Sequence, residues 1–226
     1  MNTLVQAIQQ RYQGDFMTVG ITGSVAVGKS TFAANLAEAL AVNVAVVSTD
    51  DFLMSNATLM SQGLFDQKGF PQTYGLDKMA QMIAAFQAGQ STVTIPLYRQ
   101  DIADIDAQAQ QTISRPDILI IEGVVALQLA VLDFKIYLDA SLADIKAWYL
   151  SRTLAMTAQA QDDPTSWRYQ FAKMPVAELS ELAMTTWDET NQVNLDRYIL
   201  PTQQQADAVV SLDSEHQIRR ITIKLS

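Results

Sequence analysis

GSVAVGKS, from Gly23 to Ser30, is the stretch of sequence that decides the fold. It matches the pattern G-x-x-x-x-G-K-[ST] without a mismatch. A short apolar run, Met17 to Ile21, precedes it, and apolar residues at helical spacing follow it. The two glycines allow successive N–H groups to turn towards phosphate oxygens, and the next helix points its positive dipole end at them. The motif therefore predicts a strand, a phosphate-binding loop and a helix.

The chemistry of the motif explains its residue types. Lys29 is predicted to bring a mobile cation to the β- and γ-phosphates, and the Ser30 hydroxyl to ligate Mg²⁺. The alternative is a glycine-rich turn that only caps a helix. This interpretation is weaker, because the motif lies between a predicted strand and a predicted helix. The residues predicted to hold the nucleotide are Gly23, Ser24, Val25, Ala26, Val27, Gly28, Lys29, Ser30 and Thr31.

Strand-like and helix-like segments alternate along the rest of the chain. Buried strands are predicted at Val42–Val47, Ile118–Ile121 and Phe134–Leu138, and short strands at Val209–Leu212 and Ile221–Leu225. This pattern predicts an α/β fold with a mostly parallel central sheet flanked by helices. Nothing marks a linker, so a single domain over residues 1–226 is expected.

Helices and loops complete this outline. Helical spacing predicts helices near Leu4–Tyr12, Ser30–Leu40, Leu76–Phe86 and Val176–Trp187, and Ser141 with Asp144 forms a capping box that opens another. The residues around Pro96–Ile105 are predicted to be irregular, Ser48–Tyr74 mostly loop, and Gln159–Pro164 a mobile loop within a lid-like segment at about 151–175.

Composition excludes several classes of protein. The chain has 226 residues, 49% of them apolar and 17% charged, and a formal net charge of -9, which is typical of a globular domain and unfavourable for binding nucleic acid or an anionic membrane. It contains no cysteine, which excludes disulfides and thiolate sites. The most apolar stretch, Ile118–Leu132, contains Glu122 and is too short to span a bilayer. A cytoplasmic protein without nucleic-acid or membrane partners is expected.

Acidic residues follow two of the predicted strands. Asp50 and Asp51 follow the second strand, and Glu122 follows the third. The carboxyl ends of parallel strands meet at the ligand crevice, so one carboxylate can accept the proton of an attacking hydroxyl and another can hold magnesium. An N-cap role for Asp50 or Asp51, and a loop position for Glu122, are the structural alternatives.

Other polar and aromatic residues carry weaker signals. Arg152 lies on the helix predicted to begin near Ser141, and Arg168 lies beyond it. A segment that covers the nucleotide during phosphoryl transfer needs such positive charges. For Arg168, an ordinary solvated arginine on the surface is an equally good interpretation. His216, the only histidine, is predicted to lie on the surface without a role. Most aromatics are expected in the core: Tyr98, Trp148, Tyr149, Trp167 and Trp187.

Seven blocks, in order, resemble the bacterial type I pantothenate kinases. The likeness runs from about residue 16 to the end of the chain, and the last two blocks are more specific than the phosphate loop. The blocks are GSVAVGKST (23–31), STDDF (48–52), QKGFPQTY (67–74), PLYRQ (96–100), RPDILIIEG (115–123), WYLSRTL (148–154) and AMTTWDETNQVNLDRYILPT (183–202).

The resemblance implies a P-loop kinase that uses ATP and Mg²⁺ to phosphorylate the primary hydroxyl of pantothenate, the first step of coenzyme A synthesis. It also implies a homodimer. Carried over by position, the roles fall on these residues: Asp50 as general base, Lys29 and Ser30 on the triphosphate and metal, Glu122 at the metal, Arg152 on the moving phosphoryl group, and Tyr98, Tyr149 and Asn191 in the pantothenate pocket.

The chain departs from the family pattern at several positions. Asp51 replaces a glycine beside the expected base, so it stays a rival to Asp50. Positions that help bind coenzyme A as a feedback inhibitor in the family are changed, which suggests weakened feedback; they are Ala34, Gln100 and Met156. The aromatics expected beyond the lid appear as Trp167, Arg168 and Phe171, so the far end of the acceptor pocket is expected to be remodelled.

Three other functions remain open from the sequence. A relative that phosphorylates another small alcohol, such as a nucleoside or a sugar, fits the changed pocket positions. A nucleotide-binding regulator without catalysis is less favoured, because Lys29, Ser30, Asp50 and Glu122 are all present. A P-loop GTPase is disfavoured by the lack of an N-K-x-D motif.

Overall fold

Eight strands occur in the computed structural model, which describes residues 1–224. They are β1 (Met17–Gly23), β2 (Val44–Ser48), β3 (Thr92–Arg99), β4 (Asp104–Ser114), β5 (Ile118–Glu122), β6 (Phe134–Asp139), β7 (Ala208–Leu212) and β8 (Ile218–Ile223). Six of them form the central sheet, in the order β2-β5-β1-β6-β7-β8. Every neighbouring pair is parallel except β7 with β8. Leu225, at the end of the last predicted strand, lies outside the described residues.

The helices are α1 (Asn2–Arg11), α2 (Lys29–Ala39), α3 (Asn56–Ser61), α4 (Leu76–Gln87), α5 (Leu142–Gln159), α6 (Val176–Thr186) and α7 (Gln192–Asn194). The predicted capping box at the start of α5 is confirmed, because the Ser141 hydroxyl accepts a hydrogen bond from the Asp144 N–H at 3.1 Å. No helix among residues 1–224 is long and apolar enough to cross a bilayer.

Side chains that alternate along the strands pack into two separate apolar cores, one on each face of the sheet. Along β5, Ile118 and Ile120 pack on the face covered by α1 and α2, and Leu119 and Ile121 pack on the face covered by α4. This alternation follows from the two-residue period of a strand. A strand buried on both faces must be apolar throughout, which is why the sequence of β5 reads as a continuous apolar run. The predicted α/β fold with helices on both faces of a mostly parallel sheet is confirmed.

Two local predictions were wrong. The second strand was expected to be buried, but β2 pairs only with β5 at the edge of the sheet, and Val46 is 39% exposed. The residues around Pro96–Ile105 were expected to be irregular, yet they belong to an antiparallel hairpin of β3 and β4. Polar residues dominate β4, and the pairing register shifts between Pro96 and Tyr98, so the sequence lacks a regular strand pattern there.

The fold brings the predicted polar segments to one edge of the sheet. The phosphate loop follows β1, Asp50 follows β2, and Glu122 is the last residue of β5. These three parallel strands are neighbours, in the order β2-β5-β1. Their carboxyl ends therefore meet at one crevice, which is where ligands bind in open α/β sheets.

Candidate active site

The phosphate loop has the backbone geometry that an anion site needs. Gly28 is the N-cap of α2 with φ +90°, in the left-handed region, and no side chain caps the first turn of the helix. The first N–H groups of α2 therefore lack a side-chain partner and are free for a bound anion. Val25, Ala26, Lys29 and Ser30 line the cavity above this loop. The other predicted nucleotide residues, Gly23, Ser24, Val27, Gly28 and Thr31, form the loop and the first turn of α2 without lining that cavity.

Lys29 is folded onto its own loop. Its Nζ donates to the carbonyl oxygens of Ser24 at 2.8 Å and Gly23 at 3.2 Å. Burial lowers the pKa of Lys29, and the negative charges of Glu122 and Asp50 oppose that shift. A long, flexible ammonium side chain in this position can leave the two carbonyls for a phosphate without any change of backbone.

Ser30 and Glu122 form the part of the site that fits magnesium. The Ser30 hydroxyl donates to Glu122 Oε1 at 2.9 Å, across 92 residues of sequence. Glu122 is only 6% exposed, and this burial raises its pKa, while Lys29 and the Ser30 hydrogen bond lower it. Magnesium prefers oxygen ligands and is commonly held by one or two carboxylates, waters and substrate phosphates. The hydroxyl of Ser30 and the carboxylate of Glu122 are oxygen ligands of the kind that this ion prefers. Among residues 1–224, no group of three or more His, Asp or Glu could hold a metal ion by protein ligands alone.

Asp50 lines the cavity above the phosphate loop. Its Oδ1 accepts a hydrogen bond from the Tyr74 hydroxyl at 3.1 Å. Tyr74 is held there by a backbone bridge to Leu53 and is 6% exposed. Burial raises the pKa of Asp50, and Lys29, the Tyr74 hydrogen bond and Arg152 lower it. A carboxylate with a raised pKa is a better proton acceptor than an ordinary surface aspartate.

Asp51, the rival to Asp50, points elsewhere. It is 7% exposed, and its Oδ1 accepts a hydrogen bond from the Tyr98 backbone N–H at 2.9 Å. That N–H lies beside the register shift of the β3–β4 hairpin, and Asp51 also bonds the side chain of Gln111 on the partner strand. Asp51 is absent from the cavity lining. The carboxylate that replaces the family's glycine thus ties the hairpin to the segment that carries Asp50.

A cavity of about 730 Å³ opens between the phosphate loop, the hairpin and the segment after α5. Tyr98, Tyr149 and Asn191, the three predicted pocket residues, all line it. Asn191 and Tyr149 share a side-chain hydrogen bond, and burial raises the pKa of Tyr149. Asn191 ends the π turn Trp187–Asn191 that follows α6, and a second π turn follows α7. Such turns interrupt a helix and are frequent at functional sites.

Four cations line the same cavity: Lys29, Lys68, Arg152 and Arg168. Among residues 1–224, no carboxylate lies within 4.0 Å of any of them as an ion-pair partner. Lys68 donates to Asn56 Oδ1 at 2.7 Å and to the Ala103 carbonyl, and its Nζ lies 5.3 Å from the centre of the Tyr98 ring. Unpaired cations in a cavity favour anionic ligands.

Sequence reasoning missed several residues of the site. Tyr74 and Lys68 belong to a quoted block, but their positions facing Asp50 and Tyr98 depend on contacts across the fold. Trp167 was expected in the core, yet it is 39% exposed and lines the cavity, whereas Trp187 is fully buried as predicted. The backbone N–H of Trp167 donates to the Asp101 carbonyl at 2.9 Å, which joins the segment after α5 to the turn between β3 and β4.

His216 lies on the surface, as predicted, but beside the phosphate loop. Its ring stacks on Trp148 with ring centres 3.6 Å apart, and its Nε2 is 3.5 Å from the Ala26 carbonyl oxygen. A Cβ added at Gly28 would approach His216 to 3.3 Å. The turn between β7 and β8 therefore supports the outer side of the loop. No pattern in the sequence indicates this contact, because 190 residues separate the two segments.

Known proteins that are similar to this chain include kinases of small molecules. The model of the phosphoribulokinase/uridine kinase family matches residues 18–157. A pantothenate kinase of Streptococcus pneumoniae (strain 70585) is 35% identical over 231 residues, which cover 96% of this chain and 75% of that protein. The pantothenate kinase of S. pneumoniae strain P1031 matches with the same identity and coverage.

Solved structures agree on the fold. A D-glycerate 3-kinase from Cryptococcus neoformans var. grubii superimposes with a TM-score of 0.67 at 13% identity, over 98% of this chain and 97% of that one. Phosphoribulokinase from Rhodobacter sphaeroides gives a TM-score of 0.51 at 14% identity, over 89% and 71%. At such low identity the likeness concerns the P-loop kinase fold alone. Because residues 18–157 match this family and the pantothenate kinases are 35% identical over 96% of the chain, the chain is a phosphotransferase of the phosphoribulokinase/uridine kinase family.

Proposed function

We propose that this chain transfers the γ-phosphate of ATP to the primary hydroxyl of pantothenate. The observation that carries this proposal is one cavity that joins Asp50 and the phosphate loop to Tyr98, Tyr149 and Asn191. Its cations suit an acceptor that is itself an anion, and pantothenate carries a carboxylate. The 35% identity to pantothenate kinases over 96% of the chain supports the same acceptor.

The nucleotide end of the site binds and orients the triphosphate. The uncapped N–H groups at the start of α2 hold phosphate oxygens, and Lys29 leaves its loop carbonyls to contact the β- and γ-phosphates. Ser30 and Glu122 would hold magnesium, since their side-chain oxygen atoms lie 2.9 Å apart at the end of the phosphate loop. When bound, the ion neutralises charge on the β- and γ-phosphates.

The acceptor end supplies the base. Asp50 takes the proton of the acceptor hydroxyl as its oxygen forms a bond to the γ-phosphorus. The bond from that phosphorus to the bridging oxygen breaks, and ADP leaves with the electron pair. Arg152, on α5, stabilises the charge on the moving phosphoryl group. The hydrogen bond from Tyr74 lowers the pKa of Asp50, against the rise that its burial causes.

Acceptor identity is tested by ADP release from purified protein with ATP and Mg²⁺. Pantothenate, uridine, a sugar panel and no acceptor are compared, with Asp50→Asn as the control. The proposal predicts turnover that depends on pantothenate and falls by about 10²- to 10⁴-fold in Asp50→Asn, while ATP binding persists. Turnover with uridine or a sugar instead would mean that the changed pocket residues have changed the acceptor. ATP binding without turnover on any acceptor would favour a nucleotide-binding regulator without catalysis.

We also propose weakened inhibition by coenzyme A. The support is the resemblance, in which three positions that help bind the inhibitor are changed: Ala34, Gln100 and Met156. Gln100 lines the cavity beside the hairpin, and Ala34 lies on the exposed side of α2. Pantothenate turnover is measured against coenzyme A concentration, for the natural chain and for the triple variant Ala34→Arg, Gln100→His, Met156→Phe. Stronger inhibition of the triple variant is expected; equal inhibition of both would contradict the proposal.

A homodimer and a cytoplasmic location remain predictions. The dimer is implied only by the resemblance, and sedimentation of the purified chain tests it: twice the monomer mass supports it, and the mass of 24.9 kDa contradicts it.

A further inference from the structure

Arg168 is carried over the cavity by the segment that follows α5. This segment begins at the 3-10 turn Ala160–Asp162, and the Trp167 N–H bonds it to the Asp101 carbonyl at 2.9 Å. Arg168 follows directly and lines the cavity, half-buried, with its guanidinium 4.5 Å from the centre of the Trp167 ring. The indole face and the hairpin contact hold the residue over the acceptor end of the site.

The guanidinium of Arg168 is poorly satisfied. Among residues 1–224 it makes one hydrogen bond to a side chain, a long one from Nη1 to Thr157 Oγ1 at 3.5 Å. Within the same residues its enclosed Nε has no hydrogen-bond partner. Among residues 1–224, no carboxylate pairs with it within 4.0 Å. A buried charged donor without a partner is costly, and a bound anion would remove that cost.

The charges around Arg168 strengthen this need for an anion. Burial lowers the pKa of Arg168, and the nearby charge of Arg152 lowers it further. Arg152 and Arg168 repel each other across the cavity, and an anion that binds near both guanidinium groups would offset this repulsion. The phosphates of ATP and a charged group of the acceptor are the two sources of such an anion at this site.

Position distinguishes these two sources. Lys29 and Ser30, which would hold the phosphates, lie on the phosphate loop and the first turn of α2. Arg168 lies beside the hairpin that carries Tyr98, because the N–H of the neighbouring Trp167 bonds the Asp101 carbonyl in the hairpin turn at 2.9 Å. Arg168 therefore lies on the acceptor side of the cavity.

We propose that Arg168 binds a carboxylate at the far end of the acceptor and makes the chain selective for acceptors that carry this negative charge. The inference rests on the proposed function and names the group that sets its specificity. The guanidinium provides paired N–H donors in the geometry that a carboxylate accepts. An uncharged acceptor of the same length leaves Arg168 half-buried without a negative charge to pair with.

The test compares pantothenate with its uncharged primary amide. kcat/KM for each acceptor and KM for ATP are measured for the natural chain, Arg168→Gln and Arg168→Lys. Arg220→Gln is the matched control, because it removes the same charge from an exposed position on β8, at the far edge of the sheet. The natural chain is expected to prefer pantothenate by about 10- to 100-fold, the size of a hydrogen bond to a charged group.

Arg168→Gln should abolish most of this preference without changing KM for ATP, and Arg168→Lys should keep part of it. Arg220→Gln should keep all of it. An unchanged preference in Arg168→Gln would overturn the proposal, and so would a raised KM for ATP with the preference intact, which would assign Arg168 to the nucleotide. Turnover of neither acceptor in any form of the chain would overturn the proposed function, and this inference would fall with it.

Discussion

Removing the Tyr74 hydroxyl should move the acid limb of the pH–rate profile to higher pH. The hydroxyl donates to Asp50 Oδ1 and stabilises the ionised carboxylate. The base must be ionised to accept a proton, so activity is lost as pH falls through the pKa of Asp50. Tyr74→Phe removes an interaction that lowers this pKa. The pKa therefore rises, and activity is lost at a higher pH than in the natural chain.

The size of the shift follows from the geometry. A hydrogen bond to a charged group contributes about 1.5–3 kcal/mol. The O···O distance of 3.1 Å is longer than the usual 2.7–2.8 Å, so the lower end of that range applies. One pKa unit corresponds to about 1.36 kcal/mol, which gives an upward shift of about one pH unit.

The assay is kcat/KM for the acceptor, measured from about pH 4.5 to pH 8.5, because this parameter reports the pKa of the free enzyme. Tyr169→Phe is the control, since that exposed ring lies outside the cavity lining. The control should keep the acid limb in place. An acid limb that stays put or moves to lower pH in Tyr74→Phe would refute the assignment of the limb to Asp50.

Three further substitutions test other parts of the site. Asp51→Asn keeps an oxygen for the Tyr98 N–H, so kcat should fall by less than about tenfold, far less than in Asp50→Asn. Glu122→Gln should raise the half-saturating magnesium concentration by about 10- to 100-fold in the kinase assay, because it removes the buried carboxylate charge. Gly23→Ala should lower the free energy of unfolding by about 2–5 kcal/mol in denaturant titrations, since φ is +153° and the new Cβ would lie 2.6 Å from a backbone carbonyl oxygen.

Each of these predictions has an outcome that contradicts it. A larger loss in Asp51→Asn than in Asp50→Asn would make Asp51 the base. An unchanged half-saturating magnesium concentration in Glu122→Gln would show that Glu122 does not help to bind the metal. Gly63→Ala is the control for Gly23→Ala, because its φ is +67° but nothing lies within 4 Å of the added Cβ. Equal losses of stability in the two variants would mean that the close approach contributes nothing.

Much of the fold was predictable because its signals are local. The phosphate loop, the continuous apolar run of β5 and the capping box at Ser141 each occupy one short segment, and the structure has all of them. The β3–β4 hairpin was missed because polar residues and Pro96 hide its strand pattern. The strand β2 was predicted to be buried because its sequence is apolar. An apolar sequence does not show whether a strand lies at the edge or in the middle of the sheet, and Val46 is exposed at the edge.

The site was less predictable, for a physical reason. Motifs indicate which residues carry charge, but the contacts that tune them join distant segments. Tyr74 reaches Asp50 across 24 residues, and Ser30 reaches Glu122 across 92. Arg168 has acidic neighbours in the sequence, such as Asp162 and Asp163, so only the three-dimensional structure shows that it pairs with no carboxylate among residues 1–224.

We propose Asp50 as the base that activates the primary hydroxyl of pantothenate for attack on ATP. This role is tested by following a label from the γ-phosphate of ATP into pantothenate by mass spectrometry, with the natural chain and with Asp50→Asn. The natural chain should yield a labelled monophosphate ester of the primary hydroxyl, and Asp50→Asn should yield almost none. Label that stays in ATP or passes to water, or equal amounts of ester from both proteins, would contradict this role of Asp50.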